Sequence, residues 1–412
     1  MSAGRQLLSP NGKETKLSRL RYDVAVIGAG PAGAWCACRL ATAGATVALV
    51  DGSHPREKAC GGGVSGRALA IVGSAPAGTA GVRIESATFA YDGRRVELPL
   101  MASKGRMPLS VFARRDFDLH LVERARAAGA TLIEERVVEV SRSDGGWTVV
   151  SRGPAGESTL RAQWLVGADG ANSFVRRRVG QAFHREDLSI ACGYFVRGVT
   201  ATRINIEFED APEGYLWSFP RPDHLAVGIC AQADVATVDT LRPIAERWIH
   251  QNAPGGTLER YSWPIPSLGV AALARERPAE DSWMLIGDAA GLVDPITREG
   301  IYFALESADA AAASLRESNS SQRYAARLRD TIYAELTMAA RIKARFYRPV
   351  FMRQLISALQ RSEKIRAVMA DLVAGEQPYS SLRSRLLRTM ELGLMLELIG
   401  LKRESASLPH LT

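Results

Sequence analysis

The feature that most constrains this chain lies near its start. The run Tyr22–Ile27 (YDVAVI) leads directly into Gly28-Ala-Gly30-Pro-Ala32-Gly33, and a small-residue stretch, Ala34–Ala43, follows. A short apolar run bounded by glycine reads as a buried strand, and the stretch after it as a helix. Thr46–Val50 (TVALV) reads as a second strand, ending at Asp51-Gly52. The three parts make one βαβ unit. Gly28, Gly30 and Gly33 are spaced G-x-G-x-x-G, which allows a tight turn and a close backbone approach to a pyrophosphate. The helix start adds unpaired N–H groups and the positive end of a dipole. Asp51, eighteen residues beyond Gly33, is placed to accept hydrogen bonds from ribose hydroxyls.

A chain of 412 residues with 46% apolar content has material for two domains and a substantial core. The net charge of +8 comes with no nucleic-acid-binding motif, so no nucleic-acid partner is expected. Five cysteines, Cys36, Cys38, Cys60, Cys192 and Cys230, form neither a disulfide framework nor a zinc pattern. They fit a reducing cytoplasm. Residues 1–20 are polar and basic and read as a loose tail without a signal-peptide apolar run. No stretch reaches the ~18 apolar residues of a membrane span; the nearest, Met390–Leu401, is short and contains Glu391 and Glu397.

Along the chain, residues 52–75 read as Gly-rich and irregular, and 83–100 as strands around the turn Asp92-Gly93. Phe117–Ala128 reads as a helix, followed by strands on either side of Asp144-Gly145-Gly146 and a strand at Gln163–Ala168. Residues 185–265 read as mostly β, Asp281–Ile286 as a buried strand, Gly300–Leu315 as a helix, and Tyr324–Leu401 as nearly all helical. The expected fold is α/β with an α+β second domain. A Rossmann-like dinucleotide domain (21–80, 105–182 and 276–330) is interrupted by a β-rich substrate domain (81–104 and 183–275). Residues 331–412 form a C-terminal helical region.

Two distant motifs say which dinucleotide. Gly167-Ala-Asp169-Gly170-Ala-Asn-Ser-Phe-Val-Arg176 follows one strand, and Gly287-Asp288-Ala-Ala-Gly-Leu-Val-Asp-Pro295 follows another. With the glycine fingerprint they resemble the flavoprotein group that includes aromatic hydroxylases, flavin halogenases and geranylgeranyl reductases. The resemblance implies FAD as cofactor, Asp288 on its ribityl chain, and Asp169 and Gly170 near the pyrophosphate. It also implies that the helix opening at Gly300-Ile301 aims its N-terminus at the flavin. Arg114 fits a further FAD contact, with Arg115 as a substitute.

Two more stretches narrow the likeness. Lys58-Ala-Cys60-Gly61-Gly62-Gly63-Val64 and Tyr215-Leu-Trp217-Ser-Phe219-Pro220 together resemble the geranylgeranyl reductase family, over about Tyr22–Ser307. This implies a reductase that saturates isolated C=C bonds of a polyprenyl small molecule or lipid by hydride transfer from reduced flavin. Three consecutive glycines let backbone approach a flat ring. Tyr215, Trp217 and Phe219 alternate at period two and share one face of a strand, as an aromatic wall for an isoprenoid chain or as core aromatics. Cys60, with Gly61 and Gly62, is the candidate for delivering the proton or shaping the catalytic site. Where the family has Thr-Gly-Glu-Gly, this chain has Thr297-Arg298-Glu299-Gly300; Arg298 is a candidate to meet a substrate phosphate, to stabilise reduced flavin, or to narrow the site.

Alternative readings are an aromatic monooxygenase, whose usual His and Asn are here Gly291 and Ile301, and a flavin halogenase, with Lys58 or Lys104 as its lysine. No second fingerprint for NAD(P)H is present, so the external reductant is NAD(P)H docking transiently or a ferredoxin-like electron-donor protein. Residues 341–365 alternate basic and apolar side chains at helical spacing, interrupted at Pro349. This face either packs on the protein or makes a peripheral contact with an anionic membrane surface.

Overall fold

The computed structural model describes residues 20–73, 81–100, 109–389 and 391. Residues 1–19 of the expected tail, Lys104 and most of the apolar run after Thr389 lie outside the described residues, and Leu20, the last residue of that tail, opens a strand. Two large sheets organise the chain.

The first is built around the strand Leu20–Ile27, which pairs in parallel with Val47–Val50 on one side and Gly156–Gly167 on the other. Thr131–Ile133 and Trp283–Leu285 extend it in parallel. Every residue of Val47–Val50 is buried, the mark of a parallel strand covered on both faces. The hairpin Arg136–Ser143/Gly146–Gly153 adds to it in antiparallel fashion. The helices Pro31–Thr42, Arg114–Ala127 and Ile301–Ser314 cluster together, with Trp35, Phe117 and Phe303 in the core they share.

The second sheet has seven strands, in the order Thr257–Pro266, Leu188–Arg197, His224–Gln232, Glu213–Pro220, Ile204–Asp210, Ser86–Tyr91 and Arg94–Pro99. All neighbours are antiparallel except Ile204–Glu207, which runs parallel to Ala87–Ala90. Alternation along Leu188–Arg197 sorts its two faces. Cys192, Tyr194 and Val196 pack toward Leu241, Trp248 and Ile249. Ala191 and Phe195 join Tyr215, Trp217, Phe346 and Met352 on the other side.

Two expectations need correction. The stretch expected to be mostly β contains a helix, Val238–Asn252, opened by a reciprocal cap between Thr237 and Thr240. It exists to cover the sheet's outer face, a tertiary demand that local patterning of strands does not announce. Residues 52–75 are not wholly irregular: Gly66–Val72 is a helix, closed by Gly73 at φ 77°. The basic stretch is interrupted where expected, at Pro349. Pro349 opens a new helix, Pro349–Arg361, whose Met352, Leu355, Ile356 and Leu359 are buried where the helix packs on the strands Ser86–Tyr91 and Arg94–Pro99. Among the described residues no helix is long and apolar enough to cross a membrane.

Candidate active site

A cavity of about 710 Å³ opens where the parallel strands end and runs between the two sheets. Its first wall is the glycine turn, whose three glycines have different reasons to be glycine. A Cβ on Gly28 would lie 2.4 Å from the Ala168 carbonyl oxygen, at φ +103°, and one on Gly33 would lie 1.8 Å from the Gly28 oxygen. Both are dictated by the protein's own backbone. Gly30 has no protein atom nearer its Cβ position than 3.6 Å, the His54 ring, and it faces the cavity beside Pro31 and Ala32. The helix it begins has no side-chain cap, so its first N–H groups are free for an anion. Gly33 contributes packing and does not line the cavity.

Asp51 lines the cavity, yet its carboxylate is already engaged. It accepts from Ala29 N–H (2.8 Å) and from the Ser53 N–H and hydroxyl (2.7 and 2.8 Å), and it lies 2.8 Å from His54 Nδ1. Burial opposes its charge, but the His54, Ala29 and Ser53 bonds outweigh that and hold the carboxyl below its usual range. On the other side of the imidazole, Nε2 is 3.5 Å from Asp118 Oδ2. Asp118 is fully buried and forks onto Arg114 through bonds of 3.0 and 2.8 Å. Arg114, at the cavity wall, is therefore the anchored member of the adjacent pair, and Arg115 is exposed. Gly52 also lines the cavity. His54, Asp118 and their chain of charges were missed in the sequence, where His54 is signalled only by its place three residues after Asp51.

Asp169 and Gly170 line the cavity, but the Asp169 carboxylate closes a helix start. It accepts from the Ser173 hydroxyl and from the N–H groups of Phe174 (2.6 Å) and Val175 (3.0 Å). Its side chain is thus committed to the helix Phe174–Val179, and the cavity meets the turn around it. Asp288 lines the cavity and takes a 3.0 Å bond from Lys58 Nζ. Gly287 (φ 57°) and Pro295 sit behind the wall, Gly287 against Ala32. Gly300 and Ile301 reach the cavity at the uncapped start of the helix Ile301–Ser314.

The Cys60 loop and the aromatic strand, far apart in sequence, meet here. A Cβ on Gly61 or Gly63 would lie 2.9 Å from the Phe219 ring. Gly61 and Gly63 thus make room for the protein's own Phe219 ring, and all three glycines line the cavity. Beneath it Arg221, 0% exposed, donates to Glu57 and to the Cys60 carbonyl oxygen (2.8 Å). Glu57 also accepts the backbone N–H groups of Arg114 and Arg115. Truncating one partner of a buried pair of this kind costs ~3–5 kcal/mol. Nothing periodic in the sequence marked Glu57 or Arg221. Cys60 is the only one of the five free cysteines that is not buried, and its Sγ accepts from Gly62 N–H at 3.3 Å.

Tyr215, Trp217 and Phe219 all line the cavity, with Phe208, Phe346 and Leu372 opposite or beside them. Tyr215 also bonds to the Thr297 carbonyl oxygen (2.7 Å), so it braces the loop that carries Arg298. Arg298 lines the same lobe, in a backbone at φ 60°.

These residues fit FAD. Gly30 leaves backbone bare toward the cavity, two uncapped helix starts converge on it, and Arg114, Asp51 and Asp288 stand at intervals along it. A family model for an FAD binding domain matches residues 21–341. The chain is 32% identical over 321 residues to a menaquinone reductase of Mycolicibacterium smegmatis, covering 71% of this chain and 76% of that one. It is 30% identical over 298 residues to a geranylgeranyl diphosphate reductase of Rhodobacter capsulatus, covering 69% and 72%. A geranylgeranyl bacteriochlorophyll reductase-like protein of Thermoplasma acidophilum shares the fold, with a TM-score of 0.74 at 22% identity over 90% of this chain and 99% of that one.

Proposed function

The chain belongs to the FAD binding domain family, in its geranylgeranyl reductase group, and from that premise we propose that it saturates isolated C=C bonds of a polyprenyl group. The observation that carries this is the continuity of the cavity. The lobe lined by Gly30, Arg114 and Asp288 runs on into one lined by Phe208, Trp217, Phe346 and Leu372. An apolar lobe suits a chain of isoprene units, which has surface to bury and few polar groups to satisfy. The substrates named for the two relatives, menaquinone and geranylgeranyl diphosphate, share a polyprenyl group.

FAD, when bound, supplies the hydride that goes to one carbon of the double bond. The residues of this chain supply the rest. The aromatic wall holds the alkene and excludes water. The second carbon needs a proton, and Cys60, half-buried at the cavity wall, is the group we assign to deliver it or to hold the water that does. Asp288, paired with Lys58, orients the cofactor's polyol chain.

The test is anaerobic turnover of FAD-loaded protein, reduced with dithionite, with geranylgeranyl diphosphate and with a polyprenylated quinone. Product masses should rise in steps of two hydrogens. Reducible bound FAD with no mass gain on either substrate overturns the prenyl reading and leaves the family membership intact.

A further inference from the structure

Arg298 occupies a left-handed backbone, φ 60°, where a side chain is sterically disfavoured and glycine is at ease. The loop is held there from three sides. Tyr215 donates to the Thr297 carbonyl oxygen at 2.7 Å, and Tyr347 donates to that of Ile296 at 2.8 Å. The Asp294 carboxylate accepts from the N–H groups of Ile296 (2.7 Å) and Thr297 (3.1 Å) and from the Tyr379 hydroxyl (2.8 Å). This bracing holds a guanidinium at the cavity wall, beside Cys230. Nε and Nη1 of Arg298 are buried and have no hydrogen-bond partner. Among the described residues no carboxylate forms an ion pair with it.

Its charge is favoured by the Tyr347, Cys230 and Tyr215 side chains and then by Asp294, and none of these forms an ion pair with it. Asp294, the carboxylate that its charge feels, is spent on three donors, and burial pushes its carboxyl up. Lys343 is a second cation nearby; it donates to Gln232 (2.7 Å) and Ser267 (2.8 Å), and burial, then Arg298, bring it down to about 7. A guanidinium does not discharge at any ordinary pH, so an unpaired one inside an apolar wall is costly unless a ligand completes it. A phosphate offers both the opposite charge and several acceptor oxygens to such a group. A neutral carbonyl would leave the charge uncompensated.

We propose that Arg298 is the head-group anchor of the substrate lobe and binds the phosphate oxygens of a prenyl diphosphate. The assignment rests on the prenyl reading above and names the substrate class within it. Arg298 here determines specificity; it does not move the proton or the hydride.

The experiment compares FAD-loaded wild type with Arg298→Gly and Arg298→Lys. Binding of geranylgeranyl diphosphate, geranylgeraniol and inorganic pyrophosphate is followed by tryptophan fluorescence and flavin absorbance. Glycine suits φ 60°, so Arg298→Gly should fold and retain FAD. Wild type should prefer the diphosphate over the alcohol by at least about tenfold. Arg298→Gly should lose that preference with its affinity for the alcohol unchanged, and Arg298→Lys should keep part of it. Pyrophosphate should compete with the diphosphate in wild type only. An equal preference in wild type and Arg298→Gly overturns the proposal, as does a changed flavin potential with the preference intact, which would make Arg298 a flavin-tuning residue. If wild type binds neither prenyl compound, the prenyl reading fails. Pyrophosphate binding then decides the anchor alone: retained by wild type and lost in Arg298→Gly supports it, and equal in both overturns it.

Discussion

Lys58 Nζ donates to Asp288 Oδ2 at 3.0 Å, joining the loop that follows the second strand of the glycine-turn unit to the turn that precedes the helix Ile301–Ser314. Both side chains keep 18% of their surface exposed, so the pair is partly screened, and its coupling should be ~1 kcal/mol. Lys58→Met should weaken FAD binding about fivefold, and Asp288→Ala, which also removes the acceptor for the polyol chain, by more than about tenfold. Titration of apoprotein with FAD measures both. An Asp288→Ala protein with wild-type affinity would contradict the assignment.

The glycines of the fingerprint should separate by phenotype. Gly33→Ala drives a methyl into the Gly28 carbonyl oxygen and should cost at least ~3 kcal/mol of stability, seen as a large fall in melting temperature of the apoprotein. Gly30→Ala meets only the His54 ring at 3.6 Å. It should leave the apoprotein's melting temperature nearly unchanged and weaken FAD by about tenfold or more. Equal effects of the two on apoprotein stability would count against a cofactor lying on Gly30.

Cys60→Ala should preserve FAD binding, because the thiol's bond to Gly62 N–H is long, 3.3 Å, and Arg114, which it also meets, stays anchored by Asp118. If the thiol delivers the proton, turnover should fall about 100-fold or more, with little change in KM. Unchanged turnover would return Cys60 to the status of a loop-shaping residue.

His54 should give stability a pH dependence. Burial lowers its pKa, but Asp118 and Asp51 more than reverse this, and the net shift is upward. A group with a raised folded pKa contributes fully below its unfolded value, about 6.5 for histidine, and that contribution is lost as pH rises through the folded pKa. The melting-temperature gap between wild type and His54→Gln should therefore be largest at mildly acid pH and close as pH rises above neutral. Asp51 and Asp118 have lowered pKa values; their contributions vanish only well into acid. A gap independent of pH would show that His54 does not carry the charge in the folded protein.

What could be read from the sequence was local or motif-borne. The strand, turn and helix at Tyr22–Thr42 lie together in the chain, and each part signals the next. Asp51 was legible as an acid ending a strand, and Asp169 and Asp288 came with the motifs that carry the family resemblance. What those carboxylates hold was not legible, since His54, Ser173 and Lys58 reach them through side-chain directions set by the folded backbone. The helix Val238–Asn252 was obscured by the strands around it, although Thr237 and Thr240 carried a cap signal. Arg221 and Glu57 meet across 164 residues of sequence, and no period or spacing marks that. For Arg298 the departure from the expected glycine was visible at once, but its unpaired guanidinium emerged only from the surrounding bonds.

The parallel seam between Ala87–Ala90 and Ile204–Glu207 bears on how such proteins can be recombined. The sheet behind the aromatic wall is assembled from two stretches of chain separated by a large part of the first sheet. It is therefore not a cassette. A chimera that exchanges only the longer stretch between relatives would mate a foreign strand to a native hairpin along that seam. Drift in this protein's substrate preference is then expected to come as paired changes on both sides of the join, or as single changes away from it, as at position 298.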